Sequence, residues 1–276
     1  MINSSSSTLN ASWVVYGEGV SHDDPAELYH EASTFYPTQL GRQLAGIHLL
    51  ESNRELQLTS TRSTKRHPHV DAIALPDAAP PDVSFSDVIT RRRSASAFKA
   101  DAMPLENLAA ILRSAYGVTS RFEVEPGIYQ TLRTVPSAGA LFPLEVYCLA
   151  FNIDGLPPAV YHYDPTRDVL ERTRNGDVRS ELAESMPMAQ LVASCPVALV
   201  VTAMLWRSRF KYGQRGYRFA LLEAGHLAQN VLLASEALDL GSVPVGGFYD
   251  HKLATLVAID GVNEVPLYVL PIGAKP

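Results

Sequence analysis

With 276 residues, 46% of them apolar, the chain has material for one large domain with a real core, with or without a smaller extension. A formal net charge of -6 supplies no general attraction for phosphate backbones, which excludes nucleic acid as an expected partner. The two cysteines, Cys148 and Cys195, lie inside the apolar runs "EVYCLAF" and "SCPVALVV", the setting of reduced core thiols and a cytoplasmic protein rather than a disulfide framework.

The N-terminal "MINSSSSTLNASWVV" has no basic segment leading into a long apolar one. The longest apolar run, "VALVVTAMLW", is about half of the ~20 residues a membrane span needs, so a soluble protein is expected. Residues 25–59 read as helix and short strand pieces ("PAELYHEAS", "AGIHLLESNRELQLTS"), and a basic loop, "STRSTKRHPH", follows. Pro and Ala then crowd into "DAIALPDAAPPDVSF", the composition of a linker or a chain crossing a surface. The expected division is an N-terminal extension and linker over residues 1–82 and a main domain over 83–276.

In the main domain, Ser86 is the expected N-cap of a short amphipathic helix in "FSDVITRRRS". "PLENLAAILRSAYGV" is a second helix, with Pro104 at its start and Gly117 at its end. "LEVYCLAF", "AVYHYD" and "DVLERT" run apolar or alternate, with turn chemistry between them, and predict an antiparallel meander. "PVALVVTAML" is apolar on both faces and predicts a central strand. Residues 216–238 read as a helix apolar nearly all round and therefore buried, kept slim by Ala220, Ala224, Gly225 and Ala228 for close helix contacts at a dimer interface. A short helix, "DHKLATLVAI", and a last strand, "PLYVLPIG", close the chain. Without a regular βαβ alternation, the fold class is α+β.

Several motifs lead nowhere. "EAGH" sets Glu223 and His226 three apart on one helical face and "ELYH" does the same for Glu27 and His30, but a di-iron bundle needs further glutamates on further core helices, where this chain has strands. No metal site is expected, and "HPH" at 67–69 lacks a carboxylate neighbour in sequence. "PSAGA" has Val135 where a nucleophile elbow needs glycine. "GEG" at 17–19 lacks the third glycine of a dinucleotide fingerprint. Three stretches carry more. "RRRSASAF" offers forked guanidiniums and hydroxyls suited to a phosphate. "TVPSAGALFPLE" and "PVGGFYD" offer small residues that let backbone approach a flat ring.

Taken in order, "RRSASAF", "PSAGALFPLEVY", "VYHYDP", "FKYGQRGYRFALLEAGHLAQNVLLASEALDLG", "VGGFYD" and "VPLYVLPIG" resemble the SagB-type, or azoline dehydrogenase, branch of the FMN-dependent nitroreductase superfamily. These enzymes act in the biosynthesis of thiazole- and oxazole-modified peptides. The resemblance covers residues 83–276, and "LYHEAS" at 28–33 is similar to a short signature in the N-terminal extension of the same group.

The resemblance implies a mixed, mostly antiparallel central sheet flanked by helices, in an intertwined homodimer with FMN at the subunit interface. It assigns Arg92, Arg93, Ser94 and Ser96 to the FMN phosphate and ribityl chain. Ser96 is a neutral hydroxyl where a cation is usual, so Arg133 or Lys275 is expected to help neutralise the phosphate. Pro136, Ser137, Ala138 and Gly139 match the segment that reaches the flavin from the partner subunit, and Gly246 and Gly247 the stretch lying against the isoalloxazine. Lys211 and Tyr212 match the pair implicated in catalysis. Aromatising an azoline removes a Cα proton and a hydride equivalent from Cβ, so the expected roles are Lys211 as base and Tyr212 as proton relay, with Arg209, Arg215 and Arg218 as cationic neighbours favouring a neutral lysine. The implied substrate is a ribosomal precursor peptide, in company with a cyclodehydratase, with O2 reoxidising the flavin. The alternatives are oxidation of a carrier-bound azoline, an NAD(P)H-dependent nitro or quinone reductase, and a non-enzymatic flavin-binding subunit.

Overall fold

The computed structural model describes residues 24–276 apart from 39, 62 and 80. The stretch read for a targeting segment and the glycines at 17–19 lie outside the described residues. The N-terminal part is helical, with α1 (Pro25–Ala32), α2 (Leu40–Gln43), α3 (Ala45–Ser52) and α4 (Arg54–Ser60) where strand pieces were also expected. Asp24 caps α1, its Oδ1 accepting from the amides of Ala26 and Glu27 at 2.8 and 3.3 Å, and Pro25 fills the first turn where no amide is needed. Next come β1 (Ala72–Ala74) and α5 (Phe85–Arg91). Ser84, not Ser86, is the N-cap of α5: the Val88 amide reaches the Ser84 carbonyl at 3.0 Å, so the first turn closes two residues earlier. α6 (Leu105–Tyr116) runs between Pro104 and Gly117, as the sequence implies.

β2 (Val118–Glu125) and β3 (Ile128–Arg133) form a hairpin outside the main sheet. The rest of the chain is β4 (Leu144–Ala150), β5 (Ala159–Asp164), β6 (Val169–Asn175), α7 (Arg179–Glu184), β7 (Val197–Met204), α8 (Trp206–Tyr212), α9 (Arg215–Ala237), β8 (Leu240–Ser242), α10 (Asp250–Leu256) and β9 (Glu264–Ala274). Seven strands make the main sheet in the order β1-β6-β5-β4-β7-β9-β8, and every ladder in it is antiparallel. β7 lies between β4 and β9, the central place its two apolar faces predict. β1 is an edge strand cut from the Pro- and Ala-rich stretch, with Ile73 opposite Leu170.

Alternation sends Leu144, Val146, Cys148, Leu199 and Val201 into one core with α6 and α9. Tyr147, Leu149, Ala198 and Val200 enter a second core on the other face, with α7 and α10. Each fully buried Leu or Val stabilises the fold by about 1.5–3 kcal/mol. α9 buries one face only. Ala220, Ala224, Leu227 and Ala228 are buried, whereas Leu221, Leu222, Gly225, His226 and Gln229 are exposed. Within one chain, then, the helix is not covered all round, and its alanines serve the chain's own core. No helix among the described residues is long and apolar enough to cross a membrane.

Candidate functional site

The chain gathers the expected site residues into two groups. The first forms where residues 92–96 cross β8. Ser94 bridges Ser242, and the Ala95 amide donates to the Ser242 carbonyl at 3.0 Å. A Cβ on Gly241 would sit 3.1 Å from that of Ala95, so the two backbones are held close. Arg92 is half-buried, while Arg93, Ser94 and Ser96 are exposed. Arg93 donates only to the carbonyls of Thr90 and Arg92, at 2.9 and 2.8 Å, and among the described residues neither guanidinium has a carboxylate partner. Lys275 reaches the same corner, lying against Gly241, with its Nζ 3.1 Å from Glu236 and 2.9 Å from Asp239. Two uncompensated guanidiniums beside free hydroxyls fit a phosphate. Arg133, the other cation considered for that task, is instead buried against the Tyr116 and Phe142 rings, its Nη2 bonded to Ser63 and Thr64.

Gly246 and Gly247 follow a few residues beyond Ser242. Neither has a positive φ. A Cβ on Gly247 would meet nothing within 4 Å, and one on Gly246 would touch only Tyr268 at 3.9 Å. The chain itself therefore does not require glycine here, which is consistent with a surface for a flat group to lie on.

The second group is the 136–139 turn with α8. Gly139 (φ 64°), Ala140 (φ 52°) and Phe142 (φ 43°) all lie in the left-handed region, a concentration of backbone strain typical of functional loops. A Cβ on Gly139 would stand 2.6 Å from Tyr212 Oη and 2.8 Å from Lys211 Nζ, so the turn and the Lys-Tyr pair are in direct contact through the missing side chain. Lys211 and Tyr212 are both half-buried, with Lys211 Nζ 5.3 Å from the Tyr212 ring centre. Two of the three arginines expected beside Lys211 point elsewhere. Arg218 donates to Ser33 Oγ at 2.7 Å and to the His30 carbonyl at 2.6 Å, and Arg215 stacks on Phe35 at 4.7 Å. They dock the "LYHEAS" helix onto the root of α9. Arg209 stays near the pair in sequence, bonded to Gln214 at 3.3 Å.

Comparison with known proteins decides what this arrangement belongs to. The sequence profile described as "Nitroreductase family" matches residues 89–274. The chain belongs to the nitroreductase family. It is a family of oxidoreductases whose members commonly use a flavin. A Methanocaldococcus jannaschii protein named as a nitroreductase is 36% identical over 203 residues, covering 74% of this chain and 96% of that protein. The Microcin B17-processing protein McbC of Escherichia coli is 32% identical over 143 residues, covering 50% of this chain and 52% of that protein. Among solved structures, the E. coli microcin synthetase McbBCD complex with truncated pro-MccB17 bound contains a similar chain. The TM-score is 0.58 at 23% identity, over 91% of this chain and 92% of that one, a likeness of fold.

On this nitroreductase fold, α8 is fastened by a buried ion network that sequence reasoning passed over. Register puts Glu171, His162 and Tyr147 side by side across β6, β5 and β4, and Glu145 beside Thr202. His162 is fully buried, with Nε2 2.7 Å from Glu145 and Nδ1 3.0 Å from Glu171. Burial opposes its charge, but the two carboxylates outweigh burial and push it up to about 9. With a carboxylate oxygen facing each ring nitrogen, both nitrogens donate when the ring is charged. Glu145 also meets Arg207 of α8 at 2.6 Å and the Lys65 amide at 2.8 Å. Lys65 Nζ lies 2.9 Å from both Glu264 and Tyr147 Oη. Arg207 further donates to the Ser63 and Phe142 carbonyls at 3.1 and 3.3 Å. One turn before Lys211, α8 is thus tied to the sheet and to residues 63–65. The signal in the sequence was Glu145 and His162 standing at polar positions of otherwise apolar strands.

Proposed function

We propose that this chain is an FMN-dependent azoline dehydrogenase of the SagB type, oxidising thiazoline or oxazoline rings of a ribosomal precursor peptide to thiazole or oxazole, with O2 as final acceptor. The observation that carries the reading is the packing of Lys211 and Tyr212 against the left-handed Gly139 turn, in a chain similar to a microcin-processing protein. Bound FMN supplies the two-electron acceptor. Arg92, Arg93, Ser94 and Ser96 hold its phosphate end. Gly246 and Gly247 lie along its ring. Lys211 withdraws the Cα proton of the azoline, and Tyr212 orients the ring and relays that proton toward solvent.

The site is read as shared in a homodimer, because its two groups form at different places on one chain. An apolar surface supports this: Phe85 and Ile89 on α5 and Leu221 and Leu222 on the adjoining α9 are all exposed. A second copy covering them brings its own 136–139 segment to the flavin. Residues 83–276 act as the FMN domain and residues 1–82 as an extension that braces α8 and α9. A cytoplasmic complex with a cyclodehydratase fits the company kept by the similar chain in the microcin synthetase structure.

The test is Lys211→Ala. Aromatisation of a cyclised peptide is abolished while the yellow, FMN-loaded protein is retained. Full turnover by that variant removes the proposed base. A second reading, NAD(P)H-dependent nitro reduction, draws on the Methanocaldococcus relative, and steady-state turnover of NAD(P)H with a nitroaromatic separates the two.

A further inference from the structure

One face of α8 borders a cavity of about 810 Å3, within the roughly 300–1,000 Å3 that ligand clefts span. Trp206, Arg209, Phe210 and Gly213 fall at i, i+3, i+4 and i+7, so a single side of the helix lines it. Tyr212, one turn beyond Arg209, belongs to the same wall, and its hydroxyl is the atom that stands against the Gly139 turn. The cavity and the Lys-Tyr surface therefore meet at Tyr212. Gly213, at a left-handed φ of 55°, turns the chain into α9 and brings Arg215 to the same cavity. Residues 32–35, at the end of the "LYHEAS" helix, form a further wall, which the bonds from Arg218 to Ser33 and His30 hold in place.

The charge of this cavity has one sign. Its lining holds two arginines and neither aspartate nor glutamate, in a chain whose net charge is -6. Among the described residues, Arg209 reaches only the Gln214 side-chain oxygen, at 3.3 Å, and Arg215 only the face of Phe35, at 4.7 Å. Stacking uses the flat face of a guanidinium and leaves its in-plane N–H donors for a planar, two-oxygen acceptor. Asp260, beside the 262–263 stretch of the lining, does not offset them, because its oxygens accept from the amides of Val262, Asn263 and Glu264. Two guanidiniums without a carboxylate, among the aromatic rings of Phe35, Trp206 and Phe210, fit an acidic group on an otherwise apolar peptide segment. Three residues of helix separate Arg209 from Tyr212 by about 4.5 Å along the axis, which an extended peptide covers in one or two residues at about 3.3 Å each.

We propose that this cavity is a recognition subsite for a carboxylate of the peptide, placed next or next but one to the azoline ring, with Arg209 and Arg215 as the residues that determine the preference. The inference rests on the reading of Tyr212 as a group that faces the ring, and it adds the class of sequence that the site selects. The carboxylate is an Asp or Glu side chain or the free end of a peptide that stops just beyond the ring.

Binding to the FMN-loaded protein tests it, by fluorescence anisotropy of labelled peptides that carry a finished thiazole and so cannot be oxidised further. With the C-terminus amidated, Glu next but one to the ring should bind about fivefold more tightly than Gln there, the upper range for an ion pair that solvent reaches. The preference should shrink as salt is raised. A peptide ending at that position should show the same preference for the free acid over the amide if the chain terminus is what the cavity takes. Arg209→Gln should reduce the preference and Arg209→Glu abolish it, while both variants keep their FMN and the wild-type melting temperature. Equal affinities across the whole set, no binding of any peptide, or a preference that survives Arg209→Glu overturns the proposal. If thiazoline peptides are oxidised but show none of this preference, the subsite fails and the dehydrogenase reading stands. If no thiazoline is oxidised yet the preference is present and is lost in Arg209→Glu, the dehydrogenase reading fails and the carboxylate subsite stands.

Discussion

Gly139 and Gly247 are both glycines of the candidate site, yet they face opposite constraints. At Gly139 an added methyl group meets Tyr212 and Lys211 and must adopt a left-handed φ of 64°. Gly139→Ala should therefore cost about 1–2 kcal/mol from backbone strain, and it should also displace the Lys-Tyr pair. Turnover is expected to fall at least tenfold, since misplacing reacting groups by an ångström costs on the order of 100-fold. Gly247→Ala meets nothing within the chain. Its melting temperature without cofactor should match the wild type while its FMN affinity drops. Equal FMN affinity in Gly247→Ala and wild type, by fluorescence titration, would contradict the placement of the flavin there.

At the scale of elements, the network under α8 gives a pH dependence whose sign is fixed. An unfolded histidine loses its proton near 6.5, whereas folded His162 holds its own to about 9. Its contribution to stability is complete below 6.5 and is lost as pH rises toward 9. Glu145, held down to about 2 by Arg207, His162 and the Lys65 amide against the cost of burial, contributes above 4.5 and loses that contribution as pH falls toward 2. The melting temperature should therefore decline on the alkaline side, and His162→Gln should flatten that decline while destabilising the fold at pH 6 by about 3 kcal/mol. Differential scanning fluorimetry across pH checks both. How much of this was legible in the sequence varies by element. β4, β5 and β7 could be read because apolar alternation reports a covered face, and α6 because Pro104 and Gly117 punctuate it. Glu145 and His162 share their face of β4 and β5 with Tyr147, Leu149 and Val160, and one strand's alternation cannot tell that residues 63–67 cover its polar end. The hairpin of β2 and β3 escaped because exposed residues dominate β2, leaving no period to detect. α8 escaped because tertiary packing sustains its helix: Gly46 of α3 and Gly216 of α9 lie so close to its backbone that a Cβ on either would collide with it.

For the whole molecule, the sequence pattern placed the candidate residues in order along the chain but not in space. Folding divides them between the β8 corner and the C-terminal end of α8, and this division is what calls for a second copy. Leu222, 61% exposed on α9, is the residue on which that copy is expected to rest. Leu222→Asp should give a folded monomer by light scattering, with FMN lost on dilution. A variant that stays dimeric and yellow would remove α9 from the interface. The extension belongs to the same question, since Arg218 binds Ser33 and Arg207 binds Ser63, so its removal should loosen both helices that frame Lys211.

Mass spectrometry reads the proposed ring oxidation at Lys211 and Tyr212 as a change in peptide mass. A cyclised, thiazoline-containing peptide is incubated in air with the FMN-loaded protein and weighed. A loss of about 2 Da, two hydrogens, is expected for each ring oxidised, and no loss with Lys211→Ala. An unchanged peptide mass alongside rapid NAD(P)H-driven reduction of a nitroaromatic by the same preparation would contradict it.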